Sequence, residues 1–351
     1  MTAPNSAMPP STRTPGSILR SQGPLLDVRN LSVAFPGHLA VRDISFHIDH
    51  GETLALVGES GCGKSATSFA LMRLLPRGTA VAGEVNFNGI DLFRTDARAL
   101  RNIRGKRIGL ILQEPMTSLN PVRTIGDQIA EGLVRHEKLT WTQARTRTAE
   151  LLDLVRIPDA ARRYDDYPHN MSGGMRQRVM IAMAVSCNPQ LVIADEPTTA
   201  LDVTLQSEVL ELLDSLRRQL QMALLLITHD LGVVAQWADR VAVMYAGRIV
   251  EQAAAHDLFE RPVHPYSQGL MRATLRLDDG THYSNARLSE IPGSVASAAG
   301  EQGCAFAPRC SQATEACYHA PPALVPFRDR LVACRVAVEP SEEPFRAVVG
   351  R

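Results

Sequence analysis

Lysine is nearly missing from this 351-residue chain: Lys64, Lys106 and Lys138 stand against 34 arginines. The skew reads as a GC-rich coding bias and excludes no chemistry. Net charge is missing too, with Lys+Arg and Asp+Glu both at 37. The overall basic excess of a nucleic-acid-binding chain is therefore absent. No stretch approaches the ~18–20 uninterrupted apolar residues of a membrane span; the longest apolar runs are strand-sized, such as Ala223 to Ile227. Residues 1–24 are rich in Pro, Ser and Thr and hold no acid. They lack the apolar h-region of a secretory signal, and Pro4, Pro9, Pro10 and Pro15 oppose the amphipathic helix of a transit peptide. We read them as a disordered tail. No repeat at solenoid periods is present. With no export signal, the six cysteines argue against disulfides and raise the question of metal binding.

What is present is a globular composition, 45% hydrophobic, in a chain longer than one compact core usually holds. One large domain plus an extension is expected. The chain's organising stretch is Gly58-Glu59-Ser60-Gly61-Cys62-Gly63-Lys64-Ser65, between an apolar run (Thr53 to Val57) and a helical segment (Ala66 to Leu75). Strand, glycine-rich loop and helix together predict a phosphate-binding loop. Glycines let the backbone approach a polyanion. The loop N–H groups form an anion nest, and the helix adds the positive end of its dipole. Lys64 would reach the β- and γ-phosphates, and the Ser65 hydroxyl would ligate Mg²⁺.

Leu25 to Phe35 and Ala40 to Ile48 alternate as paired strands would, with a turn at Gly37-His38. Gly83 to Phe87 is a further strand, turned by Asn88-Gly89. Arg107 to Gln113 is a buried strand ending on an amide. Glu114 to Asn170 reads as an inserted helical lobe, with helices at Thr124 to Val134 and Thr142 to Val155. Beyond it lie a helix from Met175 to Ser186, a strand ending on Asp195-Glu196, a helix from Val203, a strand ending on His229, and a strand from Arg240 to Met244. This alternation predicts an α/β core with a largely parallel sheet. After Pro262 the pattern fades to one helix ending near Ala273 and a Cys-rich segment.

A phosphate loop needs acids for the metal and the attacking water. Asp195 would hold the magnesium shell and Glu196 would act as general base. Gln113 would orient the water or complete the shell, and His229 would contact the γ-phosphate. All stand at strand ends, where open α/β sheets place ligand contacts. Ser172-Gly173-Gly174 is a second glycine-rich helix start without a lysine of its own. It suits an anion brought by another subunit, in a head-to-tail dimer with ATP between the faces.

The set resembles an ATP-binding cassette (ABC) ATPase over Leu25 to Glu260. Gly58 to Ser65 matches Walker A and Gln113 the Q-loop; Met171 to Met175 matches the signature and Leu191 to Glu196 matches Walker B. Ala200-Leu201-Asp202 matches the D-loop and His229 the switch histidine, and Phe35 falls where the family stacks adenine. The resemblance therefore also places Glu59, Ser60, Gly61, Cys62, Gly63 and Ala66 around the phosphates, and Ser172, Gly173, Gly174 and Asp202 at a shared nucleotide. Met171 and Met175 depart from the commoner Leu and Gln, which removes no catalytic group.

Gln113 to Pro121, Ser172 to Val179 and Val263 to Ser267 resemble the dipeptide/oligopeptide importer branch, which nickel and some sugar importers share. The resemblance implies a P-loop NTPase core with an antiparallel β subdomain, in an ATPase domain at residues 25–260. It also implies a helical subdomain at about 114–172 and a C-terminal extension at 261–351. The implied partners are a second ATPase subunit, with a paralogue favoured, two transmembrane permeases, and a periplasmic or lipoprotein solute receptor. The implied place is the cytoplasmic face of the inner membrane. A soluble cassette ATPase working on nucleic acid or ribosomes is the main rival; the single cassette, neutral charge and lack of a long heptad run argue against it. A non-hydrolysing iron–sulfur regulator is a second rival, opposed by the intact Glu196 and His229.

Cys304, Cys310, Cys317 and Cys334 read C-x5-C-x6-C-x16-C. This is neither a paired zinc spacing nor a ferredoxin run, and spacing alone leaves zinc, a cluster or free thiols open. Some members of the resembled branch carry a [4Fe–4S] cluster at such cysteines, and the resemblance implies one here. Nothing in the sequence places this tail beside the ATP chemistry.

Overall fold

The computed structural model describes residues 23–199, 201–273, 291–295 and 302–338. Residues 1–22 of the expected tail, and Ala200 of the D-loop match, lie outside the described residues. Two antiparallel strands, β1 (Leu26–Phe35) and β2 (His38–Ile48), open the fold around a turn at Pro36 and Gly37. β3 (Thr53–Val57), the glycine-rich loop and α1 (Lys64–Leu71) follow. β4 (Ala80–Phe87) turns into β5 (Ile90–Asp91) through Asn88 and Gly89, at φ 48° and 81°. Two successive positive φ values suit the right-handed twist of a two-residue hairpin. α2 (Ala97–Ile103) leads to β6 (Ile108–Ile111).

The helical lobe holds α3 (Pro115–Ser118), α4 (Ile125–Glu137), α5 (Trp141–Leu154) and α6 (Ala160–Arg163). Its two longer helices start on threonines. Thr124 accepts from Asp127 N–H, and Thr140 forms a capping box with Gln143. Each satisfies donors that a helix start leaves open. α7 (Gly173–Val185) returns the chain to β7 (Leu191–Asp195). Then come α8 (Val203–Leu220), β8 (Ala223–Thr228), α9 (Leu231–Trp237), β9 (Arg240–Tyr245), β10 (Arg248–Ala254), α10 (Ala255–Glu260) and α11 (Pro265–Ala273). The extension adds β11 (Val325–Phe327) and β12 (Arg330–Val332).

Two sheets result, ordered β2-β1-β4-β5 and β11-β12-β10-β9-β3-β8-β7-β6. From β9 to β6 all neighbours are parallel; β10, β12 and β11 pair antiparallel. Side chains alternate across the large sheet. Leu54, Leu56, Leu225 and Ile227 pack toward the small sheet with Leu26, Val41 and Phe87. On the opposite face Val192, Ala194, Leu224 and Leu226 join Val185 and Leu213 from the helices. Ala55 and Val57 instead meet Tyr245, Tyr266 and Phe306, reaching into the extension. Burial on both faces explains why these strands read as continuous apolar runs.

Candidate nucleotide site

All five residues of β3 are buried, and the strand delivers the chain into the loop from the middle of the sheet. At Gly63 φ is 104°, and a Cβ would clash with the Ala40 carbonyl oxygen. Only glycine makes this turn. α1 begins at Lys64 with no side-chain cap. The N–H groups of Lys64, Ser65 and Ala66 belong to its first turn, which helix geometry leaves without internal acceptors. Lys64 is 5% exposed, and its Nζ donates to Gly58 O at 2.8 Å and Glu59 O at 3.1 Å. The ammonium is thus curled over its own loop, where an anion would meet it.

Asp195 ends β7 at 3% exposure. Ser65 Oγ donates to Asp195 Oδ1 at 3.2 Å, and Ser68 Oγ donates to Oδ2 at 3.1 Å. Burial pushes the Asp195 carboxyl above its ordinary value; the two serine hydrogen bonds oppose this, Glu196 adds to it and Lys64 lowers it. A divalent cation would restore the anion. The Ser65 hydroxyl beside the Asp195 carboxylate is a hard-oxygen donor pair that fits Mg²⁺.

Glu196 carries the positive φ of 47° that a non-glycine residue seldom adopts. Its N–H donates to Ile227 O at 2.9 Å. Gln113 Nε2 and Thr199 Oγ1 both donate to Glu196 Oε2, at 3.0 and 2.9 Å. His229 Nδ1 lies 3.3 Å from Oε1. The His229 side chain is 61% exposed, so it is no core histidine. Gln113 therefore bonds to the glutamate here rather than to Asp195. Strand-end acids, amide and imidazole come together as expected. Thr199 and Ser68 were missed: a hydroxyl three residues past a loop glutamate, or one turn into a helix, carries no sequence pattern.

Other expected residues serve local structure in the isolated chain. Ser172 caps α7 by accepting from Met175 N–H at 3.3 Å, and Asp202 caps α8 by accepting from Leu205 N–H at 3.0 Å. A Cβ on Gly174 would run into the Leu205 side chain, so this glycine lets α7 approach α8. Gly173 and Ser172 stay exposed. Among the described residues, Ser172, Gly173, Gly174 and Asp202 make no hydrogen bond to the phosphate loop. Phe35 is half-buried at the end of β1. Its hairpin abuts the loop: Arg42 N–H donates to Gly247 O, and Gly247 N–H donates to Cys62 O. Cys62 is fully buried, with its thiol pushed up by desolvation, so it faces the core.

The C-terminal extension reaches the phosphate loop, a contact that nothing in the sequence indicated. Arg309 Nη1 donates to both carboxylate oxygens of Glu59, at 3.1 and 3.0 Å, and Tyr266 accepts from Glu59 N–H at 3.0 Å. No spacing rule links residues this far apart. The four tail cysteines line one small cavity with His264 and Phe306. Burial pushes the Cys304, Cys310 and Cys334 thiols up. Among the described residues no three His, Cys, Asp or Glu side chains are grouped to hold a metal ion. The described residues therefore show no ligand set for the [4Fe–4S] cluster that the resemblance implies.

Comparison with known proteins shows the family. Residues 41–199 match the ABC transporter family, and residues 250–317 match the oligopeptide/dipeptide transporter C-terminal region. A Brucella ovis protein named as a peptide import ATP-binding protein is 51% identical over 318 residues, covering 87% of this chain and 94% of that protein. A Sinorhizobium fredii protein named as a probable peptide ABC transporter ATP-binding protein is 51% identical over 307 residues, covering 86% and 91%. The structure of cbiO1 from Clostridium perfringens, part of the ABC transporter complex cbiONQ, aligns with a TM-score of 0.59 at 27% identity, over 68% of this chain and 92% of that one. A dimeric ATP-binding cassette in a post-hydrolysis state, bound to ADP and Pi, aligns with a TM-score of 0.58 at 26% identity, over 66% and 98%.

Proposed function

Because the chain belongs to the ABC transporter ATPases, we propose that it is the ATP-hydrolysing subunit of a bacterial importer of dipeptides and oligopeptides. One observation carries the reading. Gln113, Thr199 and His229 gather around the Glu196 carboxylate in a chain whose residues 250–317 match the oligopeptide/dipeptide transporter region. The peptide import names of the 51%-identical relatives support the solute class.

In this reading Lys64 and the first-turn N–H groups of α1 hold the β- and γ-phosphates. Gly58 to Ala66 wrap them, and Phe35 stacks on adenine. Ser65 and Asp195 hold Mg²⁺, which screens the phosphate charge. Glu196 takes a proton from the attacking water, while Gln113, Thr199 and His229 hold its carboxylate in place. Ser172, Gly173, Gly174 and Asp202 serve the nucleotide of a second ATPase subunit, whose own glycine-rich helix start serves this one. Residues 25–260 form the ATPase domain, with the lobe at about 114–172 receiving a permease. This chain sits at the cytoplasmic face of the membrane, with two transmembrane permeases and a periplasmic or lipoprotein solute receptor completing the machine; among the described residues no helix is long and apolar enough to cross it.

A [4Fe–4S] cluster at Cys304, Cys310, Cys317 and Cys334 is a separate proposal. Its support is the convergence of four cysteines on one apolar cavity, where it would act as a structural staple. The import reading is tested by proteoliposomes holding the assembled transporter. ATP-dependent accumulation of a labelled dipeptide or oligopeptide is expected, and loss of accumulation with Lys64→Ala. ATP hydrolysis without peptide accumulation would overturn the solute class.

A further inference from the structure

Arg309 lies beside Cys310 in the extension, 250 residues from the loop residue it touches. Its side chain is 4% exposed. Besides both Glu59 carboxylate oxygens, Nη1 reaches Tyr245 Oη at 3.3 Å. Nε donates to Pro292 O at 2.7 Å, and Nη2 donates to Ile291 O at 3.1 Å. The guanidinium also lies over the Tyr245 and Phe306 rings, 5.6 and 5.9 Å from their centroids. Such a planar fork, bonded on three nitrogens and walled by aromatics, has one orientation available.

Glu59 is gripped a second time. Its backbone N–H donates to the hydroxyl of the fully buried Tyr266. Tyr266 packs on Tyr245 and Phe306 with centroids 4.7 and 5.4 Å away. The Glu59 carbonyl accepts from Lys64 Nζ at 3.1 Å and from Cys62 N–H at 3.3 Å. One loop residue thus joins the extension to the phosphate-binding lysine. Glu59 also presents an electrostatic problem. A carboxylate within a loop that wraps a polyphosphate repels it. Arg309 holds that carboxylate to one side and supplies the opposite charge.

We propose that Arg309 is a positioning residue of the nucleotide site: by holding and neutralising Glu59 it sets the affinity of the phosphate loop for ATP. The extension is then part of the nucleotide site. This rests on the reading of Gly58 to Ser65 as an ATP-binding loop.

The test compares mant-ATP affinity of the full chain with KM and kcat of the assembled transporter. Arg309→Gln is expected to weaken mant-ATP binding and raise KM roughly tenfold, with kcat at saturating ATP within about twofold. The double variant Glu59→Gln/Arg309→Gln is expected to recover most of the lost affinity, because the unpaired carboxylate is gone. A role confined to holding the extension together would lower the melting temperature without that recovery, and equal affinities for the single and double variants would overturn the proposal. If Arg309→Gln shows no folding transition, Arg309→Lys replaces it; the charge without the fork should give an intermediate KM. Lys64→Ala separates the two levels of the argument. Parent-like binding by that variant would sink the ATP-loop reading itself. Lost binding there, with parent-like binding by Arg309→Gln, would sink only the role of Arg309.

Discussion

Glu196 is held in a backbone region that costs a glutamate on the order of 1–3 kcal/mol. The backbone bond to Ile227 and the side-chain contacts from Gln113, Thr199 and His229 keep it there. A residue strained and over-determined at a strand end is fit for one geometry of proton transfer. Glu196→Gln keeps the shape and removes the basic oxygen. Mant-ATP binding should persist while phosphate release at saturating ATP falls by roughly 10²–10⁴-fold; unchanged release would take Glu196 out of the base role. Asp195, Glu196 and His229 were legible because each ends or follows a buried strand, and Lys64 and Ser65 because they close the glycine-rich loop pattern between a strand and a helix. Thr199, Ser68, Tyr266 and Arg309 were not, because their partners are set by packing between segments that no local pattern connects.

α11 begins beside a histidine buried to 1% exposure. His264 Nδ1 accepts from Tyr266 N–H at 3.0 Å, so the ring supports the helix start as a neutral acceptor. Burial drives its pKa from the ordinary 6.5 down to about 3. A folded value below the unfolded one means that the unfolded chain binds the proton more readily. The stability from neutral His264 is present in full above about pH 6.5 and is lost as pH falls from there toward about 3. The urea midpoint should drop between pH 7.5 and pH 5, and less so in His264→Asn, which keeps an acceptor but does not titrate. An identical drop in that variant would place the effect elsewhere. At this scale the longer helices were readable from their helical stretches and the inner strands from short apolar runs. β11 and β12 were not: three residues carry no period, and these strands exist because β10 offers partners to Leu331 and Val332.

The whole molecule is an α/β core whose main sheet continues through β10 into the extension. The order of the motifs made the parallel centre legible, because strands joined by helices have few arrangements open to them. In the antiparallel flank the β9–β10 hairpin is local, whereas β12 joins β10 from residues far apart in sequence. Glu251 on β10 is fully buried, and its carboxylate accepts from Arg330 on β12 and from the N–H groups of Val263 and His264. The extension therefore has a second consequence, for solubility. A chain ending at Ala273 would bare the backbone donors and acceptors of β10 and strip Glu251 of its cation. Such an uncapped strand is a template for its own kind. Light scattering should show concentration-dependent polymers of the shortened chain where the full chain stays dispersed, and a monodisperse shortened chain would count against it. Beyond anything it does for ATP, the Cys-rich segment is then a guard against edge-to-edge growth.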